Sequence, residues 1–294
     1  MSNNDNKNFF AVFGLLFGAL CWGIVWYPYR IMSDAGVSGV VSSFYTYTIA
    51  VLLAAVFSAR QCRGLFQWSS GVIWLSIVAG WTNLSYVLAI IDGEVMRVML
   101  LFYLSPLWTL ILAHFWLKEE THLAGVAAIV TSLFGAYIML YDPAIKGFPL
   151  PANTAEWLAL SSGFGFALTN VMTRKSIHLS LREKSFAIWI GVIIVCLMAM
   201  PLMQVSLTPP AAFSLVNWLV MGLIAVLLIA ATIFVQYGVT KIKAVRASIL
   251  FLFELVVAAI AAYFLTDEKM HLNEWIGGSL IVLAAIFAAL NHKD

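Results

Sequence analysis

Leu100–Glu120 reads LLFYLSPLWTLILAHFWLKEE, and Ala247–Glu268 reads ASILFLFELVVAAIAAYFLTDE. Each is a nearly unbroken apolar run that ends on acids. A bilayer's hydrocarbon core is about 30 Å thick and a helix rises about 1.5 Å per residue, so about 20 such residues make one span. A shift of 149 residues, the distance from Arg97 to Arg246, lays the first stretch on the second. Ser105 then falls on Glu254, Pro106 on Leu255 and Glu119 on Glu268, with apolar residues between them in both. The two stretches read as one element used twice.

The rest of the chain has the same character. Hydrophobic residues fill 63% of the 294 positions and charged residues only 10%. A soluble domain carries about 45–50% apolar and about 25% charged residues, so the solvent for most of these side chains is lipid. Polar breaks leave ten runs: Phe9–Tyr29, Val37–Ala59, Ser69–Ile91, Glu94–Leu117, His122–Tyr141, Thr154–Thr173, Lys184–Val205, Leu215–Val239, Ala244–Leu265 and Asn273–Leu290. Runs three and four are divided only at Asp92–Gly93, because one continuous helix there would be too long for a single crossing.

Lys and Arg orient the chain. With the N-terminus in the cytoplasm, twelve of them lie inside, and only Arg30, Arg97, Lys146 and Lys269 lie outside. Both termini are therefore expected in the cytoplasm of a bacterial-type inner membrane. The polar segment 1–8 reads as a cytoplasmic tail. No small-residue cleavage site follows the first run, so that run is expected to be kept as a helix.

A second echo joins run one to run six at a shift of 144, with Trp22–Gly23 on Phe166–Ala167 and Arg30 on Arg174. Residues 9–141 then form a first five-helix repeat, 142–153 an extracytoplasmic linker and 154–294 a second repeat. Five is odd, so the second repeat enters the membrane from the opposite side. The expected fold is all-α, ten transmembrane helices in two inverted repeats around a central cavity, the architecture of alternating-access carriers.

The Trp22–Gly23 pair, the two quoted stretches, the Pro106-to-Glu119 spacing and the glycines Gly125 and Gly277 resemble the drug/metabolite transporter superfamily, in its ten-helix EamA-type branch. Leu255 stands where that pattern usually has its second Pro, which leaves open whether helix nine is kinked. The resemblance implies a basket of ten helices, with helices five and ten at an edge that packs in a monomer or a weak homodimer. It also implies metabolite export, with YddG-like and threonine/homoserine-type amino-acid exporters as the nearest functional group. Carriers of riboflavin, choline, nucleotide sugars or S-adenosylmethionine belong to the same superfamily.

Glu254 is the sharpest candidate. It lies about ten residues into its run, near the bilayer midplane, where a charged acid costs a few kcal/mol and must face protein or water. It reads either as a coupling carboxylate that takes up and releases a proton or as a structural acid bonded to a neighbouring helix. Arg97 and Arg246, near opposite mouths, are candidate anion clamps. Alternatively Arg97 pairs with Glu94 at i, i+3, and Arg246 is one more inside charge beside Lys241 and Lys243. The polar residues Asn83, Tyr86, Tyr103, Ser105, Asn170, Gln236 and Tyr237 either line the cavity or bond neighbouring helices. Asn83 and Tyr86 share a face. Trp68, Trp157, Trp218 and Trp275 sit at run ends, where interfacial belts form. Trp22, Trp26, Trp81 and Trp108 lie deeper, as cavity walls or packing residues.

The excluded classes follow from what is missing. A net charge of +2 and the lack of a basic stretch argue against nucleic acid. Cys21, Cys62 and Cys196 are an odd set with no paired spacing. The five histidines show no ligand spacing, so neither metal nor cofactor is expected. Short loops without clustered His, Asp or Ser argue against a membrane enzyme. The expected partners are a small-molecule substrate, the lipid bilayer and, for a coupled carrier, protons. The leading expectation is proton-coupled export of amino acids or related compounds. The alternative is import of a nutrient such as riboflavin or choline.

Overall fold

The computed structural model describes residues 3–58, 69–93, 95–119, 123–139, 151, 153–265 and 272–290. Among these residues, all regular structure is helical. The first half holds α1 (Asn3–Asp34), α2 (Gly39–Ser58), α3 (Ser70–Asp92), α4 (Val95–Phe102), α5 (Ser105–Leu112) and α6 (Leu123–Met139). A π-helical turn, Ala113–Leu117, continues α5. The second half holds α7 (Thr154–Lys175), α8 (Leu181–Leu202), α9 (Leu215–Lys241), α10 (Ala244–Phe251), α11 (Phe253–Leu265) and α12 (Leu272–Leu290). Among the described residues, six helical stretches are long and apolar enough to cross a membrane: Asn8–Asp34, Gly39–Val56, Ser70–Asp92, Leu181–Leu202, Leu215–Lys241 and Ala244–Leu265. Ser105–Leu117, Gly125–Gly135 and Trp275–Ala284 are shorter apolar helices. The protein is a multi-pass membrane protein.

Several boundaries move, each for a local reason. The segment expected as a polar tail is helical from Asn3, since nothing in Asn3–Asn8 breaks a helix and Asn and Asp suit its first turn. Run seven starts three residues early because Ser180 and Glu183 form a capping box: Ser180 Oγ accepts from the Glu183 N–H at 3.2 Å, and Glu183 accepts from the Ser180 N–H at 2.7 Å. The same run stops at Leu202, before Gln204 at φ 55°. The divide between runs three and four holds: α3 ends at Asp92, and Gly93 is extended.

The larger difference lies inside runs four and nine. The fourth run breaks at Tyr103–Leu104 and the ninth at Leu252. The shift of 149 puts Tyr103 on Leu252, so the two breaks fall at equivalent positions. Pro106 explains the first, because a proline early in α5 is tolerated only near a helix start. The second break has no proline. There Leu252 N–H donates to Ile249 O and Leu255 N–H donates to Leu252 O, both at 3.1 Å, which tightens the chain into three-residue turns. Glu254 then sits in the first turn of α11, where an acid meets the free amides of a helix N-terminus. The doubt over a kink without Pro is resolved by that geometry.

Packing keeps its pattern when the halves are exchanged. α1 packs on α9 as α7 packs on α3; α1 packs on α10 and α11 as α7 packs on α4 and α5; α2 meets α9 as α8 meets α3. α2 meets α8 and α6 meets α12, each pair joining the two halves. α7 is the least apolar of the described helices. Its Ser162, Thr169, Asn170 and Thr173 are buried against protein.

Candidate functional site

One cavity lies at the centre of this arrangement and takes residues from both halves. On α1, Trp22, Trp26 and Tyr29 line it at a spacing that places them on one helix face. Thr82, Asn83 and Tyr86 come from α3, Tyr47 from α2 and Phe102 from the last turn of α4. The second half contributes Phe166, Thr169 and Asn170 of α7, Thr232 and Gln236 of α9, and Glu254 of α11. The enclosed volume is about 90 Å³, room for a few waters or a small chemical group.

Glu254 is 3% exposed, and among the lining residues it is the one with a formal charge. Around it the aromatic rings interlock. Trp22 meets Phe166 edge-on at 5.6 Å and Phe251 at 5.5 Å. Phe102 lies 5.4 Å from Phe166 and 4.9 Å from Tyr86. Each ring is held by the next, so the aromatic wall is set before any ligand arrives. At one end of the cavity the Arg30 guanidinium lies 5.2 Å over the Trp26 ring.

The polar side chains fall into two groups. Tyr47 O–H donates to Asn83 Oδ1 at 2.6 Å, and Asn83 Nδ2 donates to Ala79 O at 2.8 Å, so the Asn83 amide is fixed in orientation. Tyr47→Phe removes one buried bond worth about 1 kcal/mol. It should lower the thermal midpoint in detergent by about 2 °C, which a fluorescence melting curve checks. By contrast, Asn170 Nδ2, Thr169 Oγ1 and Gln236 Oε1 are buried with no hydrogen-bond partner among the described residues. Buried polar atoms in native proteins are bonded to protein or water. These three face the cavity and are free to bond its contents.

Each helix break is met by a glycine of the other half. A Cβ on Gly23 of α1 would lie 2.9 Å from Glu254 O and 2.8 Å from Val257 Cβ, so the glycine lets α1 sit against the start of α11. A Cβ on Gly163 of α7 would lie 2.5 Å from Phe102 O at the end of α4. The Trp22–Gly23 pair thus places a cavity ring and the close approach to Glu254 in consecutive residues.

The end of the molecule that carries Arg174, Lys175, Lys241 and Lys243 is closed by polar bonds. Glu119, two residues past the π turn, accepts from Ala244 N–H at 3.0 Å, and its other oxygen is 3.5 Å from Arg174 Nε. Arg174 Nη1 also donates to Thr240 O. Lys184 is fully buried and donates to Thr173 O at 3.0 Å and Thr240 Oγ1 at 2.9 Å. Thr240 in turn donates to the carbonyl of Gln236, one turn nearer the cavity. Burial pushes the Glu119 carboxyl up against the opposing pull of Arg174 and the Ala244 amide, and the net direction is upward.

Of the residues singled out in the sequence, Glu254, Asn83, Tyr86, Asn170, Gln236, Trp22 and Trp26 come together at the cavity. Tyr103, Ser105, Arg246 and Tyr237 do not line it. Tyr103 and Ser105 are buried at the α4–α5 break, Arg246 is buried in α10, and Tyr237 packs against the apolar core. The Arg97 side chain and Glu94 lie outside the described residues, as do Trp68 and Glu268. Trp81 and Trp108 are not cavity walls: Trp81 is 43% exposed and donates to Ser161, and Trp108 packs edge-on against Phe164. Trp157 and Trp275 are exposed. Trp218 packs edge-on against Tyr45 and Phe213. Tyr29, Tyr47, Thr82, Thr169 and Thr232 line the cavity and were missed. Only the helical spacing of Tyr29 from Trp22 and Trp26 marked one of them.

A multi-pass helical protein whose halves pack alike around a central cavity has the build of a membrane carrier. The chain matches the EamA-like transporter family twice, over residues 9–141 and 153–290, and it belongs to that family. It is 24% identical over 220 residues to an S-adenosylmethionine uptake transporter of Rickettsia prowazekii (strain Madrid E), covering 74% of this chain and 70% of that protein. A protein of known crystal structure has the same fold, with a TM-score of 0.77 at 18% identity over 95% of this chain and 98% of that one.

Proposed function

We propose that this EamA-family transporter is an alternating-access carrier for small metabolites that bear a cationic centre. Its ten transmembrane runs form two inverted five-helix halves, with both termini in the cytoplasm of a bacterial-type inner membrane. The observation that carries the reading is the pairing of the Glu254 carboxyl with the ring wall of Trp22, Trp26, Tyr86, Phe102 and Phe166. A carboxylate inside an aromatic box is the arrangement that holds ammonium and sulfonium groups. A proton and a cation can both neutralise Glu254, which ties substrate movement to proton movement. The Rickettsia relative's substrate carries a sulfonium, in keeping with this chemistry. Exchange of packing partners between the halves, and the breaks at Tyr103–Leu104 and Leu252, support rocking about a central site.

Amino acids form the second reading. Their ammonium group suits the same carboxyl, and the free amide and hydroxyl groups of Asn170, Gln236 and Thr169 suit the carboxylate end. The test is a substrate panel in proteoliposomes, with and without a pH gradient. Sulfonium and quaternary ammonium compounds should be taken up or exchanged and should compete with one another. Neutral and acidic solutes should not. Transport of neutral amino acids with no response to organic cations would replace the first reading by the second.

A further inference from the structure

The bonds at the basic end join parts of the molecule that alternating access must separate. Glu119 belongs to the first half, and its two partners belong to the second: Arg174 lies in the last turn of α7 and is itself bonded to Thr240 of α9, and Ala244 starts α10. One carboxylate therefore ties the end of the fourth run to two helices, α7 and α10, across the boundary between halves. Its place is significant. Thr240 lies one turn beyond the cavity-lining Gln236, and Lys184 fills the space behind it with a fully buried ammonium group. The cavity walls extend the other way, to Tyr29 and Ile90 at the far ends of α1 and α3. The cavity is thus closed at the basic end by charged and hydrogen-bonded groups and walled by rings towards the opposite end.

We infer that Glu119 and Arg174 form a latch that closes the basic end of the transport pathway, as positioning residues that set which face of the membrane reaches the cavity. This rests on the carrier reading above. The latch is made for release. It is one ion pair and one backbone amide contact, partly open to solvent at Arg174, where side-chain exposure is 28% against 12% for Glu119. Such a pair holds a closed state by a modest margin, and a two-state equilibrium shifts only by the difference in interaction between its states. Lys184 differs in kind: both its contacts lie within the second half, so it stays bonded whether the latch is open or shut.

The test reads access directly and needs no substrate. Cys21, Cys62 and Cys196 are replaced by Ser, and Thr169→Cys places one thiol in the cavity wall. Its labelling by a membrane-impermeant, anionic methanethiosulfonate is timed from each face of oriented vesicles. Glu119→Ala should speed labelling from the basic face by about tenfold and slow it from the other face. Glu119→Gln keeps an acceptor for the Ala244 amide but loses the ion pair, so it should give a smaller change in the same direction. Arg174→Gln should match Glu119→Gln, and the double variant should go no further than either single one, the mark of a coupled pair. If Glu119→Ala fails to fold, the Gln variants carry the test. Unchanged labelling at both faces in folded Gln variants overturns the latch, as do additive effects in the double variant. A labelling shift without transport of any cation in the panel leaves the latch standing and counts against the carrier's proposed substrate class alone.

Discussion

Glu254→Gln should leave the protein folded and abolish transport of organic cations. Gln matches Glu in shape, and Glu254 sits at the start of α11 where a neutral side chain is tolerated, so the helix and the ring wall around it are kept. What is lost is the charge. Removing one partner of a desolvated charge pair costs about 2–5 kcal/mol, so affinity for a cation should fall by about 30-fold or more. Gln also cannot take up a proton, so accumulation driven by a pH gradient should vanish even at saturating substrate. Binding by tryptophan fluorescence and uptake into proteoliposomes measure the two losses separately. Full coupled transport by the variant would remove Glu254 from the mechanism and return it to a structural role. Loss of the pH response with binding intact would make it a coupling residue that does not touch the substrate.

Gly163→Val should be strongly damaging to the fold around the site. Any Cβ at this position meets the backbone of Phe102, with O at 2.5 Å and both C and Cα at 3.1 Å. A main-chain clash cannot be relieved by turning a side chain. Either α7 moves off α4, or the break at Tyr103–Leu104 shifts. Overpacking of this kind costs about 1–3 kcal/mol or more, and here it also displaces Phe102 and Phe166 from the cavity wall. Purified variant should show a lowered melting point, early aggregation on size-exclusion chromatography and no substrate protection against heating. Gly222→Ala is the control, because nothing lies within 4 Å of a Cβ there. Its melting point should stay level or rise slightly. A Gly163→Val protein as stable as the wild type would mean that α7 and α4 do not pack as described.

The all-helical, lipid-facing character was legible in one dimension, because apolar length is a one-dimensional signal. The break without proline was not, since three-residue turns at Ile249–Leu252 depend on backbone hydrogen bonds that any apolar sequence can make. Glu254 and Asn170 stood out as polar groups in apolar runs. Tyr29 and Tyr47 did not, because a tyrosine reads alike in a cavity, at an interface or in a core. Glu119 and Arg174 were seen only as separate landmarks, one in each echo, and their contact is a fact of three dimensions. The helix that carries run one begins earlier, at Asn3, because polar residues extend a helix readily.

The low apolarity of α7 has a consequence for biogenesis. A helix that carries Ser162, Thr169, Asn170, Thr173 and Arg174 gains little by entering lipid alone. It packs against α3, α4 and α5 of the first half and against α9 and α10 of the second, most extensively on α3. Synthesis runs from the N-terminus, so α1 to α6 are already in the bilayer when α7 leaves the ribosome. The first half then serves as the receiving surface for the most polar segment of the second. Order of synthesis and order of packing agree, and a second half made without the first would leave α7 at the membrane surface.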